Sequence, residues 1–492
     1  MGTPIILSID EGTTNTKAIA VDKSGNILAK AGVAVQLSHP HPGWAEQDPM
    51  QIWNATETAI ENCLKQLSDY SIEGIAISNQ RESIVAWDKI TGEALSPIIS
   101  WQCHRTEDLC AEIAQKPGAK IIKELTGSVI DPLFPASKIS WILMNLEHGI
   151  EGARKGEICV GTIDSWLVWC LTKGESFVTD YSNASRYQLF NIHTTSWDDK
   201  LLSIYNIPKE CLPKIISSCG ERGKTKGCRS IKDNIPILSQ IGDSHGALYG
   251  QSGFNKGVVK ATYGTGSSLM TRIDKISTLN TGVSTTVAWH DGEISYALEG
   301  NITHTGAAIA FMGRLLNIAN IDKLSHLAQT VKNSDGVYFV PALAGLGAPY
   351  WDADARGIIC GLTDAATPAT LARAGFESVV YQIADLFFAM ENAASEQLKV
   401  LYVDGGPTKN TWLMQMQADL LQRPIIRSDV AEVSALGAAY LAGKSIGWWE
   451  DYTKLQSLPR QTEQINPNPN NKYLLENYKY WQAAVEQARL KK

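Results

Sequence analysis

Long apolar runs are missing from this chain of 492 residues. No stretch approaches the about 18 consecutive apolar residues that cross a bilayer, and Met1–Ile9 has no basic segment leading into an apolar one. Neither a membrane span nor a secretory leader is therefore expected, and the reading is a cytoplasmic protein. An excess of positive charge is missing too. The 44 Lys and Arg against 51 Asp and Glu leave a formal net charge of −7, which provides no sequence-independent attraction to nucleic acid. The nine cysteines include no Cys-x-x-Cys pair. Cys219 and Cys228 come nearest to a cluster, but no histidine pair follows them at zinc spacing, so reduced and mostly buried thiols are expected. Two common phosphate signatures are absent as well. Gly437 to Gly443-Lys444-Ser445 has five intervening residues where a P-loop has four, and it falls in a helical run. No Gly-x-Gly-x-x-Gly occurs, which argues against a dinucleotide fold.

What is present is the composition of a soluble globular protein, 44% apolar and 19% charged, at a length that calls for two domains or more. Short β-rich runs alternate with amphipathic helical ones, an α/β signature. Strands are expected at Ile5–Asp10, Lys17–Asp22, Gly74–Ser78, Ile235–Ile241, Val258–Thr262, Leu269–Ile273 and Val400–Val403, and helices at Thr411–Leu421 and Ser434–Ala442. Asp10-Glu-Gly-Thr-Thr and Tyr263-Gly-Thr-Gly stand in two similar hairpins roughly 250 residues apart. This echo suggests a duplicated domain with a ligand cleft between the copies. The turn-rich segment Gly250–Gly257 marks the boundary, giving domains 1–250 and 251–492. Asn466–Lys472 reads as a loop before a last helix.

Glycines in such turns let backbone approach a ligand closely, and successive N–H groups form an anion-binding nest. Thr13, Thr14 and Thr265 add hydroxyls, and Gly405-Gly406 opens a helix whose N-terminus adds donors. Asp10, ending a strand beside the first turn, suits Mg²⁺ or merely a turn cap. Gly242-Asp243-Ser244-His245-Gly246 has two sharp readings. It matches the nucleophile elbow Gly-x-Ser-x-Gly, with Ser244 attacking an ester. It also offers Asp243 as a general base for phosphoryl transfer, and a helix N-cap is the plain alternative. The esterase lacks an oxyanion segment upstream, and no histidine follows His326. Arg81-Glu82 could grip neighbouring hydroxyls or form a structural ion pair, and Trp101 could face a carbon chain or fill a core.

The motifs Asp-Glu-Gly-Thr-Thr at 10–14, Pro-Gly-Trp-Ala-Glu-Gln-Asp-Pro at 42–49, Asn-Gln-Arg-Glu at 79–82, Trp-Gln-Cys-His-Arg-Thr at 101–106, Tyr-Gly-Thr-Gly at 263–266 and Val-Asp-Gly-Gly at 403–406 appear in order. So do Thr-Asp-Tyr-Ser-Asn-Ala-Ser-Arg at 179–186 and Gly-Leu-Gly-Ala-Pro-Tyr-Trp-Asp at 345–352. With them the chain resembles the glycerol kinase-like members of the FGGY carbohydrate kinase family from about Ile5 to Ala484. The resemblance implies two actin-like (ribonuclease H-like, ASKHA) domains around a nucleotide cleft. It implies ATP and Mg²⁺, a small polyol or sugar as acceptor, Asp243 as base, and Arg81, Glu82 and Trp101 as acceptor contacts. Thr13, Thr14, Gly264, Thr265, Gly266, Gly306, Gly406 and Asn410 would surround ATP, with Asp10 and Asp243 near the metal. A homodimer or homotetramer is compatible with it.

Three departures stand near the implied acceptor site. Leu133 replaces Tyr, Ser244-His245 replaces Gln-Gln, and Ser268 replaces Phe. The shrinkage at 133, 244 and 268 forfeits packing against a three-carbon acceptor and makes room for a longer one, with Ser244, His245 and Ser268 offering hydrogen bonds. The expectation is a kinase for a polyol or ketose of four or five carbons, with glycerol as the alternative acceptor. A non-kinase actin-like ATPase and a Ser244 esterase are the more remote readings. Gly223–Asn234 and Asn466–Lys472 do not match the family's effector loop and regulatory partner site, so neither form of regulation is carried over.

Overall fold

Ile5, Ile6, Leu7 and Ile9 are all fully buried, which is why the first strand is a continuous apolar run rather than an alternating one. The computed structural model describes residues 2–277, 279–428, 432–460 and 462–489. Among them the first half is built on β1 (Thr3–Glu11), β2 (Asn15–Asp22), β3 (Ile27–Ala34), β4 (Tyr70–Asn79) and β5 (Ile237–Gly242), in the order β5-β4-β1-β2-β3. β1, β2 and β3 form an antiparallel meander, while β4 and β5 join in parallel.

The second half contains β6 (Val258–Tyr263), β7 (Ser267–Ile273), β8 (Ser284–His290), β9 (Ile294–Ile302), β10 (Val400–Asp404), β11 (Ile425–Ser428) and β12 (Thr462–Ile465). Their order is β8-β9-β7-β6-β10-β11-β12. Its inner five, β9-β7-β6-β10-β11, repeat the first sheet: an antiparallel meander followed by two parallel strands. The two Gly-Thr hairpins are the corresponding turns, β1 to β2 and β6 to β7. The protein is thus two ribonuclease H-like α/β units.

Helices α1 (Pro49–Leu64), α2 (Asp243–Gly250), α3 (Gly306–Leu315), α4 (Pro368–Ala394), α5 (Thr411–Leu421) and α6 (Val433–Ser445) cover the sheets. α1 packs on β2 and β3, and α4 runs under the second sheet, where Phe376, Val380 and Ile383 join Val259, Ala261 and Tyr263 in one core. The larger aliphatic and phenyl side chains among them each contribute about 1.5–3 kcal/mol when fully buried. α6 returns to the first unit and crosses α2 and β4. At that crossing a Cβ on Gly437 would lie 1.8 Å from the carbonyl oxygen of Gly246, so close helix packing explains the glycine of the near-miss P-loop. The expected strands and helices are all found, the segment 466–472 lies between β12 and the last helix (Tyr473–Arg489), and all nine cysteines are free.

A small sheet of Glu46–Gln47, Ile98–Ile99, Ile84–Asp88 and Ile158–Thr162 stands beside the first unit. It holds Arg81-Glu82 and Trp101 at the ends of its strands.

Candidate active site

Three turns converge on one cleft of about 1270 Å³. Thr13 comes from the turn after β1, Gly264, Thr265 and Gly266 from the turn after β6, and Gly405 and Gly406 from the end of β10. Gly405 has φ +101°, and a Cβ there would lie 2.0 Å from the carbonyl oxygen of Tyr263, so only glycine lets the third turn press against the second. A neighbouring hollow of about 490 Å³ shares Gly264 and Thr265 as its wall and continues over Gly306, Ala307 and Ala310 of α3 to Arg314, Leu343 and Pro407. The geometry fits an extended phosphate-bearing molecule: a polar channel at the turns and a small-residue slot beyond them.

The far end of the cleft is lined by Arg81, Glu82, Trp101, Leu133, Asp243, Ser244 and Ser268. Glu82 adopts φ +62°, off the extended path of β4, which lets consecutive residues Arg81 and Glu82 both face the cleft. Arg81 lies 3.2 Å from Asp243 through Nε and 2.7 Å from Glu299 through Nη2. Arg186 pairs with Glu82 and, at 2.6 Å, with the other oxygen of Glu299. Two guanidinium groups and three carboxylates thus form one buried lattice. Burial alone would raise the Glu299 carboxyl, but Arg186 and Arg81 outweigh it and hold the group well below the usual carboxylate range. Burial likewise works against the Arg81 charge, and Glu299, Glu82 and Asp243 more than offset it. Asp243 is the lattice member open to the cleft, its side chain 39% exposed. Ser268 Oγ is buried and has no hydrogen-bond partner among the described residues. Trp101 Nε1 donates to Thr13 Oγ1 at 2.9 Å, tying the first turn to this wall.

Asp10 lies behind the lining, with Ser78 Oγ donating to it at 2.8 Å. Burial, and next in the same direction the charge of Asp243, raise its carboxyl to about 6 against a pull downward from Ser78. Two neighbouring carboxylates, Asp10 and Asp243, fit a divalent metal. Among the described residues no group of three or more His, Cys, Asp or Glu could hold a metal alone, so such an ion would take its remaining ligands from phosphate and water. The lifted carboxyl also has a stability consequence. Below its ordinary value of 3.8 both folded and unfolded chains are protonated; through about 6 the unfolded chain ionises first, and folding loses roughly 3 kcal/mol as pH rises. Asp10→Asn should therefore raise the melting temperature of the ligand-free protein at pH 8 and leave it unchanged at pH 3.5. Equal gains at both pH values would contradict this.

His245 requires a correction. Read as an acceptor contact, it is fully buried, does not line the cleft, and among the described residues finds no hydrogen-bond partner for either ring nitrogen. The reason is helical geometry: Asp243 opens α2, and a residue two positions on is turned by about 200° away from it. The ring packs beside Gly242 and Arg81, and burial, then Arg81, push it well below the ordinary imidazole value. Ser244 lines the cleft, but among the described residues no histidine hydrogen-bonds to it; its N–H donates to Asp243 Oδ1 at 2.5 Å. Thr14 is exposed at the tip of its turn. Asn410 caps α5 through Leu413 N–H and donates to Ser325, outside the lining. Glu299 and Arg186 were not picked out as site residues from the sequence. A glutamate in the apolar run Ala297-Leu298-Glu299-Gly300 was the available signal.

The N-terminal domain of the FGGY family of carbohydrate kinases matches residues 5–250, and its C-terminal domain residues 259–446. The apulose kinase of Pectobacterium atrosepticum is 54% identical over 493 residues, covering 100% of this chain and 99% of that one. Glycerol kinase 2 of Thermotoga maritima is 42% identical, covering 98% of each. The crystal structure of Plasmodium falciparum glycerol kinase with ADP superimposes with a TM-score of 0.94 at 33% identity, over 100% of this chain and 99% of that one. The duplicated two-unit fold is the one these relatives share. The chain is a phosphotransferase with an alcohol group as acceptor, and it belongs to the FGGY family of carbohydrate kinases.

Proposed function

We propose that this enzyme transfers the γ-phosphoryl group of ATP to a primary hydroxyl of a branched five-carbon ketose of the apulose type. Apulose is glycerol with a hydroxyacetyl group in place of the hydrogen on its central carbon. An acceptor wall that grips a glycerol unit, with added room and a hydroxyl beside it, suits that molecule. The observation that carries the reading is the pairing of Arg81, Glu82, Trp101 and Asp243 on one wall of the cleft with Leu133 and an unpartnered Ser268 Oγ on the same lining. An orphaned buried hydroxyl is costly unless a ligand group satisfies it.

In the mechanism, Arg81 and Glu82 orient the acceptor, and Trp101 covers its carbon face. The acceptor oxygen attacks phosphorus in line with the departing ADP oxygen, and Asp243 takes the acceptor proton late, as suits a loose transition state. Thr13, Thr14, Gly264, Thr265, Gly266, Gly306, Gly406 and Asn410 are the proposed nucleotide surroundings. Asp10 and Asp243 would hold Mg²⁺, which offsets phosphate charge when bound. The division at 250/251 and a cytoplasmic setting belong to the same proposal.

The test is ADP release measured across glycerol, tetritols, pentitols and ketoses. We expect kcat/KM for apulose to exceed that for glycerol by about 10⁴-fold, the scale at which a site built to hydrogen-bond a polar group rejects an analogue lacking it. Glycerol as the best acceptor would overturn the proposal in favour of a glycerol kinase. The double variant Leu133→Tyr/Ser268→Phe should move the apulose-to-glycerol ratio at least tenfold toward glycerol; an unmoved ratio would clear these two positions of any role in selection.

A further inference from the structure

The pleat of β6 sends its residues to two destinations. Val259, Ala261 and Tyr263 enter the core above α4, and Lys260 and Thr262 turn to the opposite face and line the cleft. In the sheet, Thr262 pairs with Ser268 and Ser268 with Asn301, while Lys260 pairs with Met270 and Met270 with Glu299. Lys260 is therefore one row behind the phosphate turn Tyr263–Gly266, and in the same row as the glutamate that anchors Arg81.

Lys260 is only 2% exposed. Among the described residues no carboxylate lies within ion-pairing distance of its Nζ, and no hydrogen bond engages it. The nearby carboxylates Glu82, Asp243 and Glu299 are already paired with Arg81 and Arg186. The stem is buried and the side chain lines the cleft, so the ammonium group is placed to meet an anion that enters it.

Resting on the kinase reading above, we propose that Lys260 is a further catalytic residue, whose Nζ binds the phosphoryl oxygens as the group passes from nucleotide to acceptor. The bond between γ-phosphorus and the ADP oxygen breaks, the bond to the acceptor oxygen forms, and the acceptor proton goes to Asp243. Lys260 exchanges no proton. It offsets charge that spreads over the phosphoryl oxygens between the two sites.

The experiment compares wild type with Lys260→Met and Lys260→Arg in steady-state kinetics and in calorimetric titration with ADP, Mg²⁺ and acceptor, with and without fluoroaluminate as the phosphoryl mimic. Removing one transition-state donor lowers kcat by about 10²–10³-fold. We expect that loss in Lys260→Met, with KM for the acceptor and Kd for ADP within about threefold of wild type, since the contact belongs to transfer rather than to ground-state binding. Fluoroaluminate should tighten ADP binding in wild type and not in Lys260→Met, and Lys260→Arg should recover part of both properties. A kcat within threefold of wild type, or a reduced kcat with the fluoroaluminate tightening intact, would overturn the proposal. If Lys260→Met does not fold, Lys260→Gln takes its place, with the same losses expected and the same outcomes overturning the proposal. Wild type that releases no ADP with any acceptor would instead remove the kinase reading and this proposal together.

Discussion

Asp243→Asn should lose phosphoryl transfer by about 10³-fold, within the 10²–10⁴ range of a lost general base, while ADP binds within a few-fold of wild type. The amide is nearly the size of the carboxylate, can still accept from the Ser244 N–H, and stays beside Arg81 Nε, now 3.2 Å away. What it cannot do is take up a proton from the acceptor. Steady-state kinetics with saturating ATP and acceptor, paired with calorimetric titration of ADP, separates these effects. Turnover within tenfold of wild type would remove Asp243 from the chemistry. Loss of ADP affinity in parallel with kcat would make it a structural residue of the cleft.

The second large effect is at Arg81. Its guanidinium joins Asp243 to Glu299, and both it and Glu299 are buried. Arg81→Met keeps the volume of the stem and leaves Glu299 facing Arg186 alone. Breaking a buried pair by removing one partner costs about 3–5 kcal/mol of stability, because a charge is left undercompensated. The same change removes the donor set that grips the acceptor, so kcat/KM should fall by about 10³-fold as two charge-assisted hydrogen bonds to the ligand are lost. The stability loss should depend on pH with a definite sign. Glu299 is held below its ordinary value of 4.5, so its pairing stabilises the fold above that pH and fades as pH falls through the depressed value. The gap between wild type and Arg81→Met in urea denaturation should therefore be wide at pH 7 and narrow toward pH 3. A gap of constant width would locate the cost in packing rather than in charge.

The sheet skeleton could be read from the sequence because each strand there is a local pattern. Ile5 to Asp10 and Ile235 to Ile241 are short apolar runs closed by turn residues, and they became β1 and β5. The duplicated hairpins were legible for the same reason: Gly-Thr pairs at strand ends are marked by composition alone. The lattice around Arg81 was not legible, since Glu299 reaches it from a strand more than 200 residues away and nothing local in either segment announces the pairing. His245 was misjudged because a motif supplies neighbours in sequence, whereas the helix that begins at Asp243 sends successive side chains to different places. Lys260 was passed over as well: Val258–Thr262 was read only as a strand, and a lysine breaking that apolar run carried no local sign that its side chain lines the cleft.

Glycine turns and an aspartate share one cleft, and the proposed reaction moves phosphorus across it straight to a primary hydroxyl. The ³¹P spectrum of a reaction with ATP and the best acceptor from the substrate screen tests this directly. It should show one phosphomonoester for each ADP formed, with the ester signal split into a triplet by the two protons of a CH₂ group. Inorganic phosphate in place of the ester, or a doublet from a secondary carbon, would contradict it.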